Sequence, residues 1–320
     1  MKARLLRIPS RLYLSYKSTM ANSKKTASKD ENSAHIKQVR DILENLKIKD
    51  VYDDDINGFS SDKTAIENIF KMTNKRTLGD ILLRLTVIDS MYSTQMNRRY
   101  YALQELAEKL YCLHQTNPLP TLFRMFIEKK RDIHLFDGQI GSEKFNLFAE
   151  KYGIGKDGAD KGVAVSLISK YAYFETNYGF PIYDSIACEM YPRLWNYCGW
   201  DKKEMPKLTV KDSGQQMVGD ATIVAFTKGI DELISRLNSG ISYDHLDRLL
   251  WFVGKIYRGN LSLVLCRKDY EWCTKNWKER DKENNFVIEN VDIKNAPFCE
   301  NNSRLEAMFE LAKELLKLNK

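Results

Sequence analysis

The segment Lys161–Leu194, KGVAVSLISKYAYFETNYGFPIYDSIACEMYPRL, gathers three carboxylates, two lysines, three serines and a run of aromatic rings in one short stretch of chain. Asp184 stands directly before SIACEM, where an N-cap belongs, so its side chain can accept from the free amides of a helix start, and the helix dipole favours its ionised form. Lys170 and Ser166 are one helical turn apart, on one face of the preceding helix and able to line one pocket. A lysine so placed is an amine nucleophile if desolvation lowers its pKa, or the ion-pair partner that holds Asp184 in place. The ordinary alternative is a lysine whose stem snorkels along the surface.

The elements that must position these groups follow from the same stretch. Val163, Leu167, Ile168 and Tyr171 recur at helical spacing, and Pro181 forbids continuation and drives Phe180 into an extended conformation. The pattern predicts a helix, an aromatic turn and a second helix opening on Asp184. Apolar residues at helical spacing predict further helices over Ile36–Ile48, Ile66–Met72, Leu78–Tyr92, Arg98–Leu113, Leu122–Lys130, Phe145–Tyr152, Gln215–Leu237, Tyr243–Tyr257 and Arg304–Leu318, with Gly229 a candidate break and residues 278–302 a polar loop. Sustained period-two alternation is absent, which argues for an all-α fold.

Phe180-Pro181-Ile182-Tyr183-Asp184 between two helices resembles the core of the helix-hairpin-helix DNA glycosylases, in the Pro-Ile-x-Asp form of the adenine-mismatch branch. The resemblance implies a two-subdomain helical glycosylase-like fold with its helix-turn-helix core over about residues 141–200. It also implies that Asp184 stabilises the sugar cation formed as a base leaves, or steers water onto it. The family's phosphate-gripping Gly-hydrophobic-Gly turn corresponds to Gly153-Ile154-Gly155, altered here by Lys156–Asp160 before the next helix. Its bifunctional members carry a lysine upstream of the Asp. Ser166 comes closest to that position in its spacing from Asp184; Lys170 lies nearer to Asp184 than the family's lysine does, and Lys161 lies farther away.

Four short elements, Tyr92-Ser93-Thr94, Ser169-Lys170-Tyr171, Pro181-Ile182-Tyr183-Asp184 and Leu250-Trp251-Phe252-Val253-Gly254-Lys255, occur in the order found in a bacterial group of glycosylase-like proteins. The resemblance places Tyr92, Thr94, Tyr183 and Trp251 around a flipped base, where rings would stack on it or fill the vacated duplex. For Trp251 the plain alternative is a core ring. The implied activity is DNA N-glycosylase, a base-excision function, with strand cleavage left open. The alternatives are a non-catalytic helical DNA-binding or interaction protein on the same scaffold, and an RNA- or nucleotide-directed hydrolase.

The formal charge of +7 bears on partners only after dissection. Eight basic residues and no acid lie in residues 1–29, so the chain from Asp30 onward balances at −1 and a surface for duplex DNA must be a local patch. Residues 1–32 read as a disordered basic tail, or an upstream start before Met20, ahead of an organelle transit peptide. No long apolar run predicts a membrane span. Six cysteines without regular spacing fit reduced thiols in the cytoplasm, and the DNA partner that the resemblance implies would place the protein at the nucleoid. Cys266 and Cys273 have the first interval of an iron–sulfur loop without its continuation, and the four histidines are dispersed. No metal or cofactor is called for, and a monomer is expected.

Overall fold

The computed structural model describes residues 32–45, 59–92, 94–129, 131–155, 162–212, 216–237, 240–288, 296 and 303–318. Residues 1–31 of the predicted basic tail and Lys161 lie outside them. The chain is mostly helical: α1 (32–45), α2 (Phe59–Met72), α3 (Leu78–Tyr92), α4 (Ala102–Thr116), α5 (Leu119–Glu128), α6 (Val165–Glu175), α7 (Ser185–Tyr197), α8 (Gly219–Leu237), α9 (Tyr243–Tyr257), α10 (Arg267–Asn276) and α11 (Ser303–Lys317). Among the described residues no helix is long and apolar enough to cross a membrane.

Helix α6 is the hub. It packs on α2, α3, α5 and α8, and every residue from Leu167 to Glu175 is buried. A second group forms around α9, which lies against α7 and α11. An ionic knot sets α6 against α2 and α3. Arg84 of α3 is 1 % exposed and donates to Glu175 of α6 at 2.6 Å, to the Thr73 carbonyl at 2.6 Å and to the Phe70 carbonyl at 2.8 Å, while Arg76 holds the other Glu175 oxygen at 2.5 Å. Burying such a pair is costly in desolvation, and the further hydrogen bonds are what make it tolerable.

Several expectations are corrected. The segment Phe145–Tyr152, predicted as helix, instead ends one antiparallel ladder, turns over residues 147–150 and opens a second: β1 (Asp137–Ile140) pairs with β2 (Glu143–Asn146), and β3 (Lys151–Tyr152) with β4 (Gly162–Val163). Ile140 faces Glu143 across a tight Gly141-Ser142 turn, with Gly141 at φ 59°, a hairpin geometry that glycine adopts without strain. Helix α5 begins earlier than predicted because Pro120 sits in its first turn, where a missing N–H costs nothing. Helix α8 runs unbroken through Gly229, since a Cβ there would lie 2.4 Å from Leu208 Cδ2; glycine marks a close approach. Helix α10 went unpredicted because its charged residues obscure any apolar stripe, and only Cys273 is buried.

Candidate functional site

A cleft of about 730 Å³ opens where the C-terminal end of α3, α6, the start of α7 and α9 meet. Seven of the sequence candidates line it: Tyr92, Thr94, Ser166, Lys170, Tyr183, Asp184 and Trp251. They come from three well-separated stretches of the chain, which only the packing of α9 against α7 and of α3 against α6 could unite.

Asp184 is the N-cap of α7. Its backbone is extended (φ −149°, ψ 175°), and Oδ1 accepts from the Ala187 amide at 2.7 Å. Ser169 fixes the approach, accepting from the Tyr183 amide at 2.9 Å while donating to the Ser166 carbonyl at 2.9 Å. The turn before it is sharper than Pro181 alone requires. Helix α6 ends at Glu175, and Asn177 (φ 54°) and Tyr178 (φ 70°) both occupy the left-handed region, a cost of about 1–2 kcal/mol per non-glycine residue. Offsetting contacts hold them: the Tyr178 amide donates to the Tyr173 carbonyl at 2.7 Å, the Tyr178 hydroxyl donates to Glu67, and the Lys63 ammonium sits 3.9 Å over its ring.

Lys170 is 2 % exposed and sends Nζ back along α6 to the Ser166 hydroxyl, 2.8 Å away. Helical side chains lean toward the N-terminus, so the amine lies at the level of the residue one turn earlier. Burial lowers the Lys170 pKa, opposed first by the charge of Asp184. The Tyr92 ring is 5.6 Å from Nζ, and burial pushes the Tyr92 phenol well up. The Cys188 thiol, one turn into α7, is pushed up to about 12, chiefly by burial. Of the aromatics around the turn, Tyr183 lines the cleft together with Tyr92 of α3, whereas Tyr171 and Phe180 are fully buried in the core.

Sequence reasoning missed several participants. Lys63 of α2 lines the cleft and donates to Asp244 at 3.2 Å; Asp244 also accepts from Arg248 at 2.8 Å and from the Tyr173 hydroxyl. Burial alone would raise the Asp244 pKa, but Lys63 and Arg248 hold it below its ordinary value. Asp247, partly buried one turn before Trp251, is pushed well up, first by burial and then by the Asp184 charge, with Lys170 opposing. Lys255 and Arg258 complete the α9 side. The segment LDRLLWFVGK contained part of the signal: its one acid, Asp247, among apolar residues of a helix is informative because burying it is expensive.

Two expectations fare differently. Thr94 lies on the cleft wall, but its hydroxyl donates to Asp89, which also accepts from the Met96 and Asn97 amides at 2.9 Å each, so this group shapes a loop. The Gly153-Ile154-Gly155 turn is not between helices, and neither glycine lines the cleft. The Gly153 amide donates to Glu105 at 2.9 Å, and Ile154 exchanges backbone hydrogen bonds with Tyr100 at 3.0 Å. Those amides serve the fold instead of facing a phosphate.

A second cavity, about 420 Å³, lies beside Arg76, Arg84 and Glu175, where both guanidiniums are already held by the one carboxylate. Among the described residues, no group of three or more His, Cys, Asp or Glu side chains could hold a metal ion. Comparisons with protein-family models, with curated proteins and with solved structures each find no match to this chain.

Proposed function

We propose that this protein is a DNA glycosylase of the helix-hairpin-helix type, with a remodelled hairpin, that rotates a damaged, mispaired or modified base into the cleft and cleaves its N-glycosidic bond. The observation that carries the reading is a carboxylate fixed on a helix start and a buried lysine amine within its electrostatic range, both lining one cleft with aromatic walls. Bond cleavage leaves positive charge on the sugar, and a carboxylate oriented before the reaction stabilises that charge without having to reorganise. The base departs with the bonding electrons and takes up a proton, and water, guided by Asp184, adds at the sugar carbon. Tyr92, Tyr183 and Trp251 supply flat surfaces on which an extruded base can rest.

Lys170 adds a branch. An amine whose pKa burial lowers has a larger neutral fraction near neutral pH, and a neutral amine can attack the same carbon and displace the base. The amine then loses a proton, the ring C–O bond of the sugar breaks with its electrons going to the ring oxygen, and the iminium so formed would be reduced by borohydride to a stable adduct.

One observation favours the other reading, a non-catalytic binding protein: the Gly153 turn is committed to Glu105 and Tyr100 and so offers no phosphate grip of the family kind. Incubation with duplexes bearing single lesions or mispairs, followed by alkali, separates the two. Alkali-labile sites formed by the protein and not by Asp184→Asn support base excision, and duplex binding without such sites across the panel supports the binding protein. Borohydride adducts lost in Lys170→Gln would assign the amine its covalent role.

A further inference from the structure

Any protein that acts on one nucleotide must fix the backbone beside it, and phosphate contacts are what set register on a nucleic acid. With the Gly153–Gly155 turn committed internally, that contact has to come from elsewhere. The α9 side of the cleft offers it. Lys255 and Arg258 sit one turn apart on one helix face, and both line the cleft with the hydroxyl-bearing Ser185 and Ser262.

Their state before any ligand arrives points to an anion. Lys255 is partly buried, and among the described residues its ammonium has no carboxylate within ion-pair distance; it lies 5.7 Å from the Trp251 ring. Burial and the Arg258 charge both lower its pKa, with Asp184 opposing. Arg258 is oriented by Glu189, which accepts from it at 2.5 Å and is shared with Arg193 at 3.3 Å. One carboxylate thus faces two guanidiniums, and the wall keeps a net positive charge. An unpaired, half-desolvated cation beside a fixed guanidinium gains most from an anion that accepts from both.

We propose that Lys255 and Arg258 form a clamp for one backbone phosphodiester of the bound nucleic acid, beside the nucleotide whose sugar faces Asp184. This rests on the nucleic-acid reading of the cleft. The clamp takes over the anchoring that the altered hairpin does not perform, and it draws on local positive charge in a fold that is near neutral overall.

The test is fluorescence anisotropy of a labelled duplex carrying a central tetrahydrofuran abasic analogue, titrated from about 50 to about 200 mM salt. Each phosphate contact contributes roughly 0.9 to the slope of log affinity against log salt, so its loss changes the affinity ratio over that fourfold range by about 3.5-fold. Lys255→Gln, at a partly exposed position, is expected to lose that increment and to bind more weakly at low salt. A duplex with one neutral methylphosphonate beside the abasic analogue should reproduce the loss in the wild-type protein and show no further loss with Lys255→Gln.

An unchanged slope and affinity in Lys255→Gln, with wild-type duplex binding intact, overturns the clamp and leaves the glycosylase reading standing. Free deoxyadenosine monophosphate serves as the second probe. If Lys255→Gln abolishes its binding while the duplex slope is unchanged, the cations hold a free nucleotide and the backbone assignment falls. If the wild-type protein binds no duplex at all, the nucleic-acid reading fails together with the clamp.

Discussion

Asp184 carries two separable duties, and two substitutions at that position divide them. Its Oδ1 accepts from the Ala187 amide at 2.7 Å, a capping role that asparagine performs about as well and alanine does not. Its negative charge, in the proposed reaction, faces a sugar cation; at about 4 Å and an effective dielectric constant of about 20 that attraction is about 4 kcal/mol. Asp184→Asn removes the charge and keeps the cap, so it should lower single-turnover base excision by about a thousandfold while leaving stability within a few tenths of a kcal/mol. Asp184→Ala should lose the same activity and, in addition, about 1 kcal/mol of stability, or roughly 2–4 °C in Tm. Thermal unfolding and quenched-flow assays on the most reactive lesion duplex measure both quantities. An Asp184→Asn variant within tenfold of wild type would refute a catalytic charge at this position. Equal destabilisation by Asn and Ala would refute the cap argument.

Other expectations concern the scaffold around the cleft. Arg84→Met leaves Glu175 buried beside Arg76 alone and frees the Phe70 and Thr73 carbonyls; a loss of about 3–5 kcal/mol in urea unfolding is expected, and a loss under about 1 kcal/mol would show that Arg76 suffices. Asp247 has a raised folded-state pKa, so its contribution to stability is present below its unfolded-state value and is lost as pH rises through the raised one. Asp247→Asn removes that loss, and its unfolding free energy relative to wild type should therefore climb between acidic and mildly alkaline pH; a flat difference contradicts the assignment. Gly153→Ala meets Ala102 Cβ at 2.6 Å and the Tyr100 carbonyl at 2.9 Å from a left-handed backbone (φ 70°), and should cost more than about 1 kcal/mol. If the Gly153 turn serves only the fold, the folded variant keeps wild-type affinity for the abasic duplex in anisotropy; a selective loss of affinity would return the phosphate grip to that turn.

The part of the site legible in the sequence was the part built from adjacent residues. A cap needs an acceptor immediately before a helix, and a proline fixes its own φ and restrains its predecessor; both are short-range rules, which is why Asp184 and the start of α7 could be placed from Pro181–Met190 alone. Helix α3 was legible for the same reason, its bounds matching the predicted Leu78–Tyr92. The left-handed pair Asn177-Tyr178 was not, because asparagine favours that conformation only weakly, tyrosine does not, and the Tyr178 position is held by Glu67 and Lys63 on another helix.

By itself, then, the sequence determined a helical chain, a capped carboxylate and the candidates around it, since periodicity and capping act within a turn or two. Tertiary structure alone decided which of these meet. Packing α9 against α7 brings Trp251, Lys255 and Arg258 to the cleft and puts Asp247 within electrostatic range of Asp184, and packing α2 against α6 brings in Lys63. It also decided that the Gly153 amide belongs to Glu105, on a helix that lies far earlier in the chain. Desolvation and charge coupling depend on distance through space, and chain order encodes that distance only after the core has closed.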